Sequence, residues 1–420
     1  MKKETICVHG GYSPKGGEPR VLPIIQSTTY KYEDPDHLAD LFDLRQEGHM
    51  YSRISNPTLG ALEEKISQLE GGVGALTVSS GQSATLIAIL NICSQGQHIL
   101  VSSNLYGGTF TLISSTLRKL GIDATFIDQD LELEDLIKYI RTETRAIFAE
   151  TISNPSLKVL DIEKFSGLAK IADVPLIIDN TLPSPYLCNP FKYGANIIVH
   201  SATKYLDGHA TSVGGIIVDG GNFNWDNGKF EELIKPDPSY HGIQYVKEFK
   251  EKAYITKARV QLLRDMGNCL SPFNAFLINL GIETLHLRMI SHSENALALA
   301  KYLESHPKIS WVSYPKLESS SSYGLGEKYL DLGASGILTF GIKGGREEAK
   351  NFIKNIDLAG LVVHLGDLRT SVLHPATTTH RQLSNEELKL AGIGPDMIRV
   401  SIGIENINDI IEDFEKALGK

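Results

Sequence analysis

Short apolar runs alternate with amphipathic stretches over the first two thirds of the chain. Residues 58–70 place apolar side chains every three or four positions, the spacing that buries one face of a helix. Further predicted helices are 82–92, 110–120 and 161–171, and predicted strands are 75–78, 98–101, 146–149, 176–178, 196–199 and 216–218. This alternation is typical of βαβ units. We therefore predict an α/β fold with a mainly parallel central sheet and helices on both faces.

The pattern of apolar and polar residues changes before and after these alternating strands and helices. Residues 1–57 contain Gly, Pro and Tyr but little helical periodicity, which predicts an arm that needs another surface to become ordered. Towards the end lie a long helical stretch at 288–303, weaker strands at 337–340 and 398–402, and a closing helix near 407–418. We predict three parts: an N-terminal arm at 1–57, an α/β domain at 58–262 and a smaller α+β domain at 263–420.

The amino-acid composition argues against some classes of binding partner. The 420 residues include 41 basic and 50 acidic side chains, a net charge of −9, which argues against a nucleic-acid or anionic-membrane surface. The four cysteines are scattered and form no C-x-x-C pair, which indicates free thiols in a reducing compartment. The first residues lead into Gly10 and Gly11 rather than an apolar stretch, and the apolar runs are too short to span a bilayer. We expect a cytoplasmic, soluble protein.

Several familiar ligand motifs are missing from the sequence. No G-x-G-x-x-G follows a predicted strand, and the residues after Lys229 lack the Ser or Thr of a phosphate-binding P-loop. His374 and His380 are six positions apart around Pro375, which is not the spacing of metal ligands on a helix. The sequence therefore contains no dinucleotide-binding fingerprint and predicts no metal site.

An acid and an amine follow two neighbouring apolar runs. Asp179 ends the run at 176–178, and Lys204 follows the run at 196–199, one strand-helix-strand step later. Ligands bind at this edge of an open parallel sheet. Pyridoxal phosphate needs such a pair, because a lysine forms an imine with it and an acid keeps its ring nitrogen protonated. Taken alone, an acid and a lysine at strand ends are more typical of a solvated rim.

Other residues predicted at this edge of the sheet favour a pyridoxal-phosphate site over a solvated rim. Ser201 and Thr203 flank the lysine with hydroxyls suited to a phosphate, and Ser80 and Gly81 lie between a predicted strand and helix, where backbone amides attract anions. An ordinary helix cap is the alternative interpretation of Ser80. Tyr106 follows another strand and faces the same edge, where it could stack on the ring or transfer a proton, although it could also be a packed loop tyrosine.

Ordered motifs extend over nearly the whole chain. They are YSR (51–53), SSG (79–81), LYGGT (105–109), IDNT (178–181), HSATKY (200–205), HPA (374–376), TH (379–380) and RVSIGIE (399–405). With these motifs the chain resembles the Cys/Met-metabolism family of pyridoxal-phosphate enzymes. That family includes cystathionine γ-synthase, cystathionine lyases, methionine γ-lyase and O-acetylhomoserine sulfhydrylase.

The resemblance implies a pyridoxal-phosphate transferase of fold type I, with a cofactor site in the α/β domain. It implies that Lys204 holds the cofactor as a Schiff base, that Asp179 pairs with the pyridinium nitrogen and that Tyr106 stacks on the ring. The remaining contacts that it implies, to the phosphate and the ring hydroxyl, come from Ser80, Gly81, Gln82, Asn154, Ser201 and Thr203.

The resemblance also implies how subunits and substrate meet the site. Tyr51 and Arg53 would hold the phosphate of a neighbouring subunit, in a homotetramer built as a dimer of dimers with shared active sites. Arg399 would bind the substrate α-carboxylate, to which a guanidinium fork is suited. His364 stands where relatives usually have a smaller Ser or Asn near that carboxylate, so we expect His364 among the substrate contacts.

Two segments indicate the sulfhydrylase branch of the family. They are ETISNP (150–155), where synthases and lyases more often have Pro after Glu-Thr, and an insert at 219–242. This branch would replace the acetoxy group of O-acetylhomoserine by sulfide or methanethiol, giving homocysteine or methionine. Methionine γ-lyase and cystathionine γ-synthase activities remain alternatives, as does a succinyl donor. A regulatory cofactor-binding protein is disfavoured, because binding alone needs no substrate clamp such as Arg399.

Overall fold

A seven-stranded sheet organises the larger part of the molecule. The computed structural model describes residues 1–379, 381 and 392–419. The strands of this sheet are β1 (Gly74–Val78), β2 (His98–Ser102), β3 (Asp123–Ile127), β4 (Thr144–Glu150), β5 (Leu176–Asp179), β6 (Ile197–Ser201) and β7 (Gly215–Asp219). Their order is β1-β7-β6-β5-β4-β2-β3, and β7 alone runs antiparallel to its neighbours. The predicted, mainly parallel sheet is confirmed.

The six predicted strands all form, but β3 was not predicted. Its sequence DATFI lies at the sheet edge with only its last residue fully buried, so it lacks the continuous apolar run of an interior strand. Along the interior strands, successive side chains enter different apolar clusters. Ile178 and Ile198 point to one face, whereas Ile177 and Ile197 point to the other. Both faces of the sheet are therefore buried, as predicted.

Helices cover these faces. In chain order they are α1 (Lys3–His9), α2 (Pro35–Phe42), α3 (Pro57–Glu70), α4 (Gly81–Leu90), α5 (Gly107–Thr111), α6 (Leu133–Leu136), α7 (Ile162–Ala172), α8 (Ser184–Leu187), α9 (Glu231–Ile234), α10 (Tyr245–Phe249), α11 (Ala253–Lys257) and α12 (Arg264–Met266). The helix predicted at 110–120 is instead α5 followed by a wider π-helical segment, Leu112–Leu117.

The first 57 residues contain more structure than the sequence pattern predicted. Helix α1 buries Ile6 and Cys7 and packs against α3. Helix α2 begins at Pro35, and Asp34 caps it by accepting a hydrogen bond from the amide of Asp36. Both helices have at most eight residues, too few for a clear period, so the sequence pattern did not predict them. The domain boundaries at 57 and 262 stay predictions.

A second, five-stranded sheet forms the smaller part. Its strands are β8 (Ile309–Ser313), β9 (Ile337–Ile342), β10 (Gly360–Leu361), β11 (Ser371–Leu373) and β12 (Met397–Ser401), in the order β10-β11-β12-β9-β8. Its helices are α13 (Pro272–Glu283), α14 (Leu285–Ser305), α15 (Tyr323–Tyr329), α16 (Arg346–Asn355) and α17 (Ile407–Gly419). The smaller α+β unit is thus confirmed. Within the described ranges, no helix is both long and apolar enough to cross a bilayer.

The last helix fixes the chain that leads into β10. The carboxylate of Asp413 in α17 accepts hydrogen bonds from the backbone amides of Asp357, Leu358 and Ala359, at 2.9, 3.0 and 3.1 Å. Asp413 is buried, so water cannot replace these bonds. The position of the segment after β10 therefore depends on α17.

We expect Asp413→Ala to lower the free energy of unfolding by about 3 kcal/mol, because three buried amides lose a charged acceptor. The measurement is urea denaturation followed by circular dichroism. The matched control is Glu412→Ala on the same helix, whose ion pair with Lys416 is exposed, and we expect it to change stability by less than about 0.5 kcal/mol. Equal midpoints for both variants would show that the three bonds contribute little.

Candidate active site

The carboxyl ends of the parallel strands open into a cavity of about 230 Å³. Asp179 is the last residue of β5, and Lys204 lies three residues beyond the end of β6. The cavity brings together these predicted residues: Ser80, Gly81, Gln82, Tyr106, Asn154, Asp179, Ser201, Thr203, Lys204, His364 and Arg399. These residues span more than three hundred positions of the sequence, and the fold brings them together around one cavity.

Lys204 is largely enclosed by protein. Burial and, to a lesser degree, the nearby Arg399 guanidinium together lower the pKa of its ammonium to about 8. An amine with this pKa loses its proton as the pH rises through about 8, so near neutral pH a useful fraction is unprotonated. The ring Nδ1 of His364 lies 3.5 Å from Nζ of Lys204, at the outer limit of a hydrogen bond. The lysine can therefore act as a nucleophile or a base.

Two carboxyl groups lie side by side at the floor of the cavity. Glu150, the last residue of β4, is paired in register with Asp179 on β5. Burial raises the pKa of both groups, and for Glu150 the neighbouring Asp179 adds to the effect and the pKa rises well above its usual range. Oδ1 of Asp179 accepts a hydrogen bond of 2.9 Å from the amide of Thr181, which opposes this rise. A cation beside Asp179 would favour its ionised form.

The start of α4 forms a cradle for an anion. Ser80 caps the helix by accepting a hydrogen bond of 3.2 Å from the amide of Ser83. A Cβ atom at Gly81 would lie 2.6 Å from Cβ of Ser201, so only glycine lets the helix approach the end of β6 so closely. Oε1 of Gln82 is buried and has no hydrogen-bond partner among the described residues. The positive end of the helix and these polar groups suit a phosphate.

The neighbouring hydroxyls are partly engaged already. The hydroxyl of Thr203 bonds to the backbone of Gly214, and the hydroxyl of Thr181 accepts a hydrogen bond of 2.8 Å from the amide of Ser201. Together these bonds hold the segment between β6 and Lys204 against the rest of the sheet. The role of Thr203 as a phosphate ligand stays a prediction.

A buried polar network fixes the strand ends from behind. Nε2 of His200, the residue before Ser201, lies 2.7 Å from Oε1 of Glu70 in α3. The side-chain amide of Asn180 donates to the same Glu70 oxygen at 3.0 Å and accepts from the hydroxyl of Thr151 at 2.9 Å. The residues next to Asp179 and Ser201 are thus tied to one glutamate.

Arg399 reaches the cavity from the other sheet. It lies on β12, and its guanidinium donates to Oδ1 of Asn154 at 3.4 Å and to the carbonyl oxygen of His364 at 3.2 Å. Burial lowers its pKa to about 10, so it remains a cation at neutral pH. Tyr106, at the start of α5, is 50% exposed and donates its amide hydrogen to Oε1 of Glu150 at 2.7 Å. A cation and an aromatic ring thus border the same space.

Two predicted cofactor residues lie elsewhere on this chain. Tyr51 and Arg53 are exposed, with the Arg53 guanidinium 5.3 Å from the centre of the Tyr51 ring. The guanidinium of Arg53 also donates to the carbonyl oxygen of Arg264. Neither residue lines the cavity that contains Lys204. His380, from the TH motif, lies outside the described residues.

Glu150 and Thr181 line the cavity but were given no role from the sequence. Glu150 could have been found by the argument that selected Asp179, because each is an acid that ends an apolar run of a parallel strand. Thr181 is polar and two residues past a strand end, which is common in loops. The other cavity residues missed were Thr85, Thr109, Ile152, Leu182, Val363, Leu365 and Thr379.

The site fits pyridoxal phosphate. A lysine with a lowered pKa, an acid able to pair with a ring nitrogen and an anion cradle surround one cavity of suitable size. The sequence pattern of the family described as Cys/Met metabolism PLP-dependent enzymes matches residues 4–419. The chain belongs to this family. Its cofactor is pyridoxal phosphate.

Individual relatives are similar over their whole length. The chain is 50% identical to the O-acetyl-L-homoserine sulfhydrylase of Leptospira meyeri, covering 100% of this chain and 97% of the relative. It is 44% identical to the homocysteine synthase of Schizosaccharomyces pombe, covering 99% and 97%. A crystal structure from Campylobacter jejuni, with 40% identity and a TM-score of 0.96 over 100% of both chains, contains pyridoxyl-lysine phosphate. Its assignment as an O-acetylhomoserine (thiol)-lyase is provisional.

We expect Gly81→Ala to weaken the binding of pyridoxal phosphate at least about tenfold, because the new methyl group would push the start of α4 away from Ser201. Spectrophotometric titration of the cofactor-free protein measures this affinity. Gly60→Ala in α3 is the control, since a Cβ atom there meets nothing within 4 Å. If both variants bind the cofactor as the unaltered protein does, the cradle at Gly81 is not the phosphate site.

Proposed function

We propose that the protein is an O-acetylhomoserine sulfhydrylase, which replaces the acetoxy group of O-acetylhomoserine by sulfide and releases homocysteine and acetate. Methanethiol in place of sulfide would give methionine. The observation on which this rests is that Lys204 and Arg399 meet in one cavity of a chain 50% identical to a named sulfhydrylase over its full length. A mere cofactor-binding protein would not need the buried cation of Arg399 beside the lysine.

Proton transfer is the work of Lys204 in this proposal. Bound pyridoxal phosphate supplies a cationic ring that draws electrons from the substrate α-carbon. Nζ of Lys204 takes a proton from Cα, passes it back to the bound substrate and cofactor, and as a free amine can then take one from Cβ, for which its pKa of about 8 is suited. Acetate leaves with the Cγ–O electron pair, sulfide forms the Cγ–S bond, and the protons return to Cβ and Cα.

Arg399 orients the substrate. Its guanidinium is already held by Asn154 and by the carbonyl oxygen of His364, so the fork is pre-organised for a carboxylate. The ring of His364 lies beside Lys204 and would contact the substrate as well. We propose that Asp179 holds the cofactor ring nitrogen and that Tyr106 stacks on the ring. The proposed contacts to the phosphate and ring hydroxyl are Ser80, Gly81, Gln82, Asn154, Ser201 and Thr203.

A product assay tests the activity. With O-acetylhomoserine and sulfide, we expect homocysteine to form much faster than 2-oxobutanoate, and Lys204→Ala to form neither, because the base is lost. Borohydride treatment should fix a pyridoxyl group on Lys204, as mass spectrometry of peptides would show. Dominant release of 2-oxobutanoate would indicate a γ-lyase. Efficient formation of cystathionine from cysteine, or a preference for O-succinylhomoserine, would indicate a synthase.

We also propose a homotetramer, built as a dimer of dimers with shared active sites. Tyr51 and Arg53 are exposed and do not line the cavity of their own chain, which is the arrangement expected of groups that complete a neighbour's site. Arg53 donates to a backbone carbonyl oxygen and, among the residues that the structure describes, forms no ion pair with a carboxylate, so its charge is available to a phosphate. We further propose a cytoplasmic location, because the four cysteines are free thiols, which suits a reducing compartment.

Subunit exchange tests the shared site. We expect Arg53→Ala and Lys204→Ala each to be nearly inactive, the first because a charge-assisted phosphate contact is lost. Mixed tetramers should regain activity, because some sites then combine an intact Arg53 with an intact Lys204. Recovery is measured as homocysteine formation, and native mass spectrometry confirms mixing. Mixed oligomers without recovered activity, or a fully active monomer, would contradict the proposal.

A further inference from the structure

Glu150 is one of the residues that line the cavity containing Lys204. It ends β4, pairs in register with Asp179 and lines the same cavity, yet it is only 6% exposed. The proposed chemistry gives it no step. A buried carboxyl group beside another acid is costly unless it is neutral or well bonded, so its presence needs a physical explanation.

The hydrogen bonds of Glu150 lead to residues on two sides of the cavity. Its carboxyl group accepts from the backbone amide of Tyr106, at 2.7 Å to Oε1, and from the backbone amide of Asn154. Tyr106 is half exposed, and this bond ties its backbone to the sheet. Asn154 in turn accepts from Arg399. One side chain thus connects the proposed stacking residue, the residue proposed for the ring hydroxyl and, through it, the substrate clamp.

Charge decides which form Glu150 takes. Two ionised carboxylates on adjacent strands repel each other, and burial makes that repulsion stronger. Both effects raise the pKa of Glu150 well above its usual range. Asp179 must be ionised to pair with a protonated ring nitrogen. The proton of the pair therefore belongs on Glu150, whose carbonyl oxygen can still accept hydrogen bonds.

We propose that Glu150 is a positioning residue: a neutral carboxylic acid that fixes Tyr106 and Asn154 around the cofactor ring and leaves the single negative charge on Asp179. This inference rests on the proposed function, in that the cofactor ring lies between Tyr106 and Asp179. It assigns Glu150 no contact with the reacting atoms.

Substitutions at Glu150 separate its hydrogen bonds from its charge. Glu150→Gln keeps a neutral acceptor, and we expect it to weaken cofactor affinity no more than about threefold. Glu150→Ala leaves the amides of Tyr106 and Asn154 without this acceptor and should weaken cofactor affinity about thirtyfold. The measurement is titration of each cofactor-free protein with pyridoxal phosphate. Glu150→Met, which keeps the volume but has no oxygen, serves the same purpose if the alanine variant does not fold.

The pH dependence of the visible cofactor absorbance provides a second test, which reports on the charge of Glu150. If Glu150 is neutral, its replacement by Gln should leave the pH at which the visible absorbance changes within about 0.3 units of the unaltered protein, since no charge is removed. A larger shift, or a Gln variant as weak as the Ala variant, would overturn the inference. So would an Ala variant and a Met variant that bind the cofactor normally.

The unaltered protein and Asp179→Asn distinguish this inference from the function on which it rests. The unaltered protein should bind the cofactor at Lys204, and Asp179→Asn should bind it weakly with an altered spectrum, because the ring nitrogen loses its counter-charge. Failure of either result contradicts the proposed site itself. If both results hold and the Gln and Ala variants of Glu150 are indistinguishable, only the role of Glu150 is wrong.

Discussion

Backbone hydrogen bonds between the parallel strands β4, β5 and β6 align their carboxyl ends, so that Glu150, Asp179 and Ser201 lie at one edge of the cavity. In a parallel ladder the register determines which strand-end residues are neighbours. Glu150 therefore lies beside Asp179, and Lys204 follows from the next strand. The network around Glu70 braces the same ends from behind. A shift in this register would separate the lysine from its acid.

The second sheet contributes further residues to the cavity at the edge of the first sheet. Arg399 projects from β12 into the cavity, and His364 lies on the segment between β10 and β11. This segment approaches the lysine closely, because a Cβ atom at Gly366, where φ is +79°, would lie 3.3 Å from Cα of Lys204. The amide of Gly366 donates to the hydroxyl of Ser401 at 2.9 Å. The cavity is thus lined by residues from both sheets.

The charges of the cavity affect one another. Burial holds the pKa values of Lys204 and Arg399 low, and the Arg399 cation adds to the effect on Lys204. Burial likewise holds the pKa values of Asp179 and Glu150 high. The pKa values of all four groups are thereby shifted in the direction that favours their neutral forms. In the proposed site, a cationic ring would give Asp179 a partner of opposite charge, and a substrate carboxylate would do the same for Arg399.

The sequence by itself determined the alternation of strands and helices, because period and β-branching are local properties of the chain. It also located Asp179 and Lys204 at strand ends, and its motifs indicated the family. Tertiary structure alone decided that β3 joins an edge, that Glu150 faces Asp179 and that Arg399 enters from another sheet. These facts depend on strand order, register and contacts between residues far apart in the chain, and no local pattern of side chains encodes such distances.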